Sequence, residues 1–187
     1  MTNLEHLAQL EGDARDVAAE VVRRWPSAVI TSSKRDVAAQ AVAMAKNVAR
    51  QRTWILGDAH AEPPIRATYR WSKAALLCHD WSMHNMDATT ANLAAAFARL
   101  LGELPTSELV KLSRHLAPYT QGAHAFDLHP MLTTLGEQQA AAKTRDPELT
   151  PDGAEACAYL AGEAHSRGGT FLTREGEQTI WHWQAKD

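Results

Sequence analysis

The sequence predicts an α+β fold, a small antiparallel sheet flanked by several helices, and three observations carry that prediction. Alanine supplies 34 of the 187 residues, with no long Val/Ile/Thr stretch, so most of the chain favours helix. Through about residue 112, apolar residues recur at three- and four-residue steps. Beyond that point the texture changes to short extended runs broken by turn residues, with one further helix set among them.

Taken in order, Leu4, Leu7, Leu10, Ala14, Val17, Val21 and Val22 mark one amphipathic helix over residues 3–24. Thr2 and Glu5 form a capping box at its start, and Pro26 closes the segment. Ala28–Thr31 reads as a short strand. Ser33 then caps a helix over 35–53, with Val37, Ala41, Met44 and Val48 on one face. Gly57, Pro63 and Pro64 make 56–66 a loop, and 67–80 is helical. Asp87 is expected to cap a helix over 88–101 that ends at Gly102, and Thr106 or Ser107 opens one more turn. Ser113–Leu116 and Ala123–Leu128 look extended, separated by a turn at 118–122. Residues 131–149 are helical to about Lys143 and then a polar loop. Thr150-Pro151-Asp152 starts a further helix that Gly168-Gly169 ends. Thr170–Arg174 and Thr179–Gln184 form a hairpin around Glu175-Gly176-Glu177. The whole is expected to be one domain over 1–187, with residues 1–27 a helix packed outside its core.

Composition excludes several classes of function. The 19 basic and 22 acidic residues give a net charge of −3, and no Lys/Arg block stands out, which argues against an electrostatic nucleic-acid binder. No apolar run approaches the roughly 20 residues of a membrane helix, so no stable membrane association is expected. MTNLEHLAQLEGD carries early acids and no continuous apolar core, unlike a secretory signal, so synthesis in the cytoplasm is expected. Two cysteines, Cys78 and Cys157, offer no disulfide framework.

Nine histidines are many for this length, and spacing separates ligands from bystanders. His115, Asp127 and His182 all fall on or beside short strands, which hold side chains rigidly. Two imidazoles and one carboxylate, with water in the fourth place, suit a catalytic zinc ion. Such an ion acidifies the water and polarises a scissile carbonyl. Strand alternation sets Asp127 on the face of Ala125 and His129, opposite His124 and Phe126. By the same rule His182 shares a face with Ile180 and Gln184, and Trp181 and Trp183 take the other.

Ser113-Arg114-His115-Leu116, Ala125-Phe126-Asp127-Leu128 and Trp181-His182-Trp183-Gln184 follow one another in an order that resembles a known family. It is that of the zinc peptidases trimming peptidoglycan stems, with a Hedgehog-like fold: D-alanyl-D-alanine carboxypeptidases of VanY type and the L-alanyl-D-glutamate endopeptidases of phage endolysins. Upstream, Ile30-Thr31-Ser32-Ser33-Lys34-Arg35 with Gln40 resembles that family's Thr-Ser-x-x-Arg strand and the Gln of its following helix. The resemblance implies zinc as cofactor, with His115, Asp127 and His182 as its ligands. It implies that Arg35 orients the substrate carbonyl or the developing oxyanion, a task suited to a guanidinium that keeps its charge. Gln40 and Ser113 join Arg35 among the substrate-binding residues, and the implied partner is a peptidoglycan peptide cleaved by a carboxypeptidase or an endopeptidase. A phage lysis enzyme released through a holin, or a delivered effector acting in the periplasm or cell wall, fits this reading.

The sequence departs from the family pattern twice. Eleven residues separate His115 from Asp127, more than the family usually has, and a lengthened turn absorbs a surplus cheaply. Many members carry a general-base Glu three residues before the last His, where this chain has Thr179. Glu175 and Glu177 are the alternative bases, Glu175 slightly preferred. Thr179 also keeps open a non-catalytic protein that retains the fold and binds its ligand without turnover. A phage structural or interaction protein is the further alternative.

Overall fold

The computed structural model describes residues 1–50, 72–113, 115–116, 124–143, 146–174 and 179–186. The expected loop at 56–66, the turn at 118–122 and the hairpin apex at 175–177 lie outside these residues. In chain order the elements are α1 (Asn3–Leu7), α2 (Gly12–Arg24), β1 (Ile30–Ser32), α3 (Val37–Arg50), α4 (Lys73–His84), α5 (Thr90–Gly102) and α6 (Thr106–Leu112). They are followed by β2 (Ala125–Leu128), α7 (Thr134–Ala141), α8 (Pro151–Arg167), β3 (Thr170–Leu172) and β4 (Trp181–Gln184). Eight helices and a four-stranded antiparallel sheet among the described residues make this an α+β fold.

Local chemistry explains most boundaries. The capping box forms as expected: Thr2 Oγ1 accepts from the Glu5 N–H at 3.3 Å, and the Thr2 N–H donates to Glu5 Oε2 at 2.6 Å. The helix expected over 3–24 is nevertheless two helices. The Leu10 N–H closes back on the Leu7 carbonyl at 3.2 Å, and Gly12 restarts the chain at φ +52°, a value glycine reaches without Cβ strain. Thr89, not Asp87, caps α5, its hydroxyl accepting from the Asn92 N–H at 3.2 Å. Thr150 caps α8 ahead of Pro151, and Gly168 ends it in the left-handed region at φ +68°.

Contacts divide the chain into two compact units, Met1–Lys34 with Tyr119–Asp187, and Arg35–Pro118. In the first, the strands run in the order β1-β2-β4-β3. Its register pairs Asp127 with His182, Phe126 with Trp183 and Leu128 with Trp181, while Ser32 pairs with Asp127. One sheet face is therefore apolar. Phe126 stacks on Trp183 at 5.7 Å between ring centroids, and Phe171 meets Trp181 edge-on at 6.2 Å. These rings join Ala14, Val17, Ala18 and Val21 of α2 and Ala156 and Leu160 of α8 in one buried core, so α2 helps to build that core. The opposite face carries Ser32, Asp127 and His182 in a row.

The second unit is helical. Ala41, Met44, Ala45 and Val48 of α3 share a core with Cys78 of α4, Leu93, Phe97 and Leu101 of α5, and Leu112 and Leu116. Ser113, His115 and Leu116, the described residues of the expected extended segment, are not in a strand. The Leu116 N–H turns back to the Ser113 carbonyl at 3.0 Å, which lets Leu112 and Leu116 enter one core four residues apart.

Candidate metal centre

Asp127 and His182 face each other across the β2–β4 ladder, and Asp127 Oδ1 lies 2.7 Å from His182 Nδ1. Aromatic anchoring on the far side makes this pairing firm. Trp181 and Trp183 are buried at 2 % and 0 % exposure, so a one-residue slip of β4 would drive two indoles out of the core. Asp127 is fully buried and His182 nearly so. A carboxylate taken out of water is costly unless it is paired or holds a cation.

His115 sits in the turn that follows α6. Its N–H donates to Ser113 Oγ at 3.3 Å, and its carbonyl accepts from the Arg35 N–H at 2.8 Å. Two backbone hydrogen bonds thus orient the residue, and its side chain is buried. His115, Asp127 and His182 are all buried, and each offers one ligand atom to a metal ion. The buried group could hold a metal ion, and two imidazoles with one carboxylate form a donor set suited to a divalent transition metal.

Arg35 directs its Nη1 to Gln40 Oε1 at 3.4 Å. Gln40 is fully buried on α3, and its Nε2 has no hydrogen-bond partner among the described residues. Asp36 caps α3, its carboxylate accepting from the Ala39 N–H at 2.6 Å. Ser113 uses its hydroxyl within the turn that carries His115. Glu175 and Glu177 lie outside the described residues. Thr179, in the position where a general base was sought, has a buried hydroxyl with no hydrogen-bond partner among the described residues.

Two contacts escaped sequence reasoning. Gln184 Oε1 lies 3.2 Å from His182 Nε2, although strand alternation had already set both residues on one face. His6 is buried, with Nδ1 2.8 Å from Ser33 Oγ, and that hydroxyl donates to Gln9 Oε1 at 2.7 Å. Nothing in a lone histidine near the start of the chain signals a partner 27 residues away.

No protein-family model, curated protein or solved structure matches the chain.

Proposed function

We propose that the protein is a zinc-dependent hydrolase of peptidoglycan stem peptides, a carboxypeptidase or endopeptidase resembling the VanY-type and endolysin peptidases. The observation that carries this reading is a buried donor set, Asp127 facing His182 at 2.7 Å across β2 and β4, with His115 as the third buried ligand that such a metal site would use. Structural zinc sites have four protein ligands, whereas three ligands leave a position for water and substrate. A bound zinc ion supplies Lewis acidity there, polarising the peptide carbonyl and lowering the pKa of the attacking water.

The chain's own residues supply the rest. Arg35 joins the His115 backbone and, steadied by Gln40, brings a permanent positive charge for the carbonyl oxygen as negative charge grows on it. Glu175 or Glu177 takes the proton from the attacking water and passes it to the departing amine. Thr179 supports a second reading, in which the centre binds its ligand without turnover, because a hydroxyl at that position does not act as a base at neutral pH.

Incubation with defined stem peptides, with and without chelator, followed by mass identification of the products, tests the proposal. Loss of one D-alanine, or scission at an internal stem bond, abolished by chelator and reduced at least about 100-fold by Arg35→Gln, is expected. Zinc binding with intact peptides, unchanged by replacing Glu175 and Glu177 together with glutamine, selects the non-catalytic reading. Peptides left intact by a protein that also binds no zinc refute both.

A further inference from the structure

On β4, Gln184 follows His182 by two residues and therefore lies on the same sheet face. Its register partner on β2 is Ala125, whose single methyl group leaves room for the Gln184 side chain to fold back along the strand. On the other side it pairs with Thr170 of β3, and its main-chain carbonyl is covered by Gly169. The carboxamide reaches His182 Nε2 at 3.2 Å, within hydrogen-bond range, while Nδ1 lies 2.7 Å from Asp127 Oδ1.

A neutral imidazole carries one proton and one lone pair. With the proton on Nε2, donated to the Gln184 carbonyl oxygen, Nδ1 turns its lone pair toward a carboxylate oxygen. Two acceptors at hydrogen-bond distance repel unless a cation sits beside both. With the proton on Nδ1 instead, the ring donates to Asp127 Oδ1 and Nε2 accepts from the Gln184 amide once the carboxamide flips, so that tautomer leaves no lone pair for an ion. Of the two neutral tautomers, the one with Nε2–H held by Gln184 Oε1 leaves the Nδ1 lone pair, beside Asp127, for a metal ion.

We propose that Gln184 is the positioning residue of the centre, its Oε1 holding the Nε2 proton of His182 so that Nδ1, beside Asp127, is the ligating atom. The inference rests on the metal reading above and deepens it. Partners of this kind fix the tautomer and ring orientation of a ligating histidine, and their loss typically weakens metal binding about 10–100-fold. Gln184 touches neither substrate nor reacting atoms in this account and acts only through His182.

The test measures zinc dissociation constants for the full chain by competition with a chromogenic chelator, in the wild type, Gln184→Met and Gln184→Glu. Methionine keeps the length and removes the acceptor; glutamate keeps the acceptor. We expect Gln184→Met to bind zinc about 10–100-fold more weakly and Gln184→Glu to bind at least as tightly as the wild type. Nitrogen-15 spectra of the zinc-loaded wild type should show a metallated Nδ1 and a slowly exchanging Nε2 proton, which exchanges rapidly in Gln184→Met. The spectra of the wild type decide the ring assignment even where a variant folds poorly. Gln184→Met within about twofold of the wild type, or metal on Nε2, overturns the proposal. A wild type that binds zinc but cleaves no stem peptide removes the hydrolase reading and leaves this inference standing; a wild type that binds no zinc removes both.

Discussion

The same substitution, glycine to alanine, should have opposite effects at two positions of this chain, and the reason is geometric. Gly169 immediately precedes β3, and a Cβ there would stand 2.4 Å from the main-chain oxygen of Gln184. That neighbour is backbone in a paired strand, so it cannot swing aside as a side chain would, and relief requires β3 and β4 to separate. Overpacking of this kind costs about 1–3 kcal/mol. Gly162 lies in the exposed middle of α8, where a Cβ meets nothing within 4 Å. Alanine there gains about 0.5–1 kcal/mol by restricting the unfolded chain and raising helix propensity. At about 2–4 °C per kcal/mol for a chain of this size, Gly169→Ala should lower Tm by about 2–12 °C and Gly162→Ala should raise it by about 1–4 °C. Differential scanning calorimetry of the two variants reads both shifts. Because the Gln184 carbonyl belongs to the strand that presents His182, Gly169→Ala should also weaken zinc binding, and Gly162→Ala should leave it unchanged. A Gly169→Ala variant as stable as the wild type would refute the close approach of β3 to β4.

Other outcomes follow from buried titratable groups. The ordinary pKa of His6, 6.5, is lowered in the fold, first by burial and then by the N-terminal ammonium, with Glu5 opposing. The unfolded chain therefore binds the proton more readily, and stability present above about pH 6.5 is lost as the pH falls through the lower folded value. His6→Gln should flatten the fall in Tm between pH 7 and pH 5 relative to the wild type; parallel curves would show that His6 contributes nothing. Burial pushes the Cys78 thiol up to about 12, and it raises the partly exposed Cys157 as well. In the native protein at pH 8, maleimide should therefore label Cys157 before Cys78, with Cys78 reacting only on unfolding. Mass mapping of the adducts settles the order, and early labelling of Cys78 would contradict its burial in the helical core.

The sheet face that carries His182 was legible because aromatic and polar residues alternate in β4. Trp181 and Trp183 alternate with His182 and Gln184, and that pattern alone places the imidazole opposite the core. Phe126 and Leu128 do the same for Asp127. The antiparallel pairing of Asp127 with His182 was not legible, because register depends on a partner strand 55 residues away. The expected extension at Ser113, His115 and Leu116 was misread for a related reason. Ser113, His115 and Leu116 look extended in isolation, while the spacing that matters is Leu112 to Leu116, both held in the helical core. The break between α1 and α2 hid behind an unbroken run of helical spacing, with Gly12 as its one local signal. Gln184 was placed on the correct face, but a glutamine beside a histidine has no signature that distinguishes a positioning contact from a solvent-facing strand residue.

The central claim is that three side chains distant in the chain share one metal ion. Titration of metal-free protein with zinc, followed by calorimetry, tests it for the wild type and for His115→Ala, Asp127→Ala and His182→Ala. The account predicts one zinc per wild-type chain and at least about a 100-fold loss of affinity in every variant. A wild type that takes up no zinc, or variants that bind it as the wild type does, would contradict it.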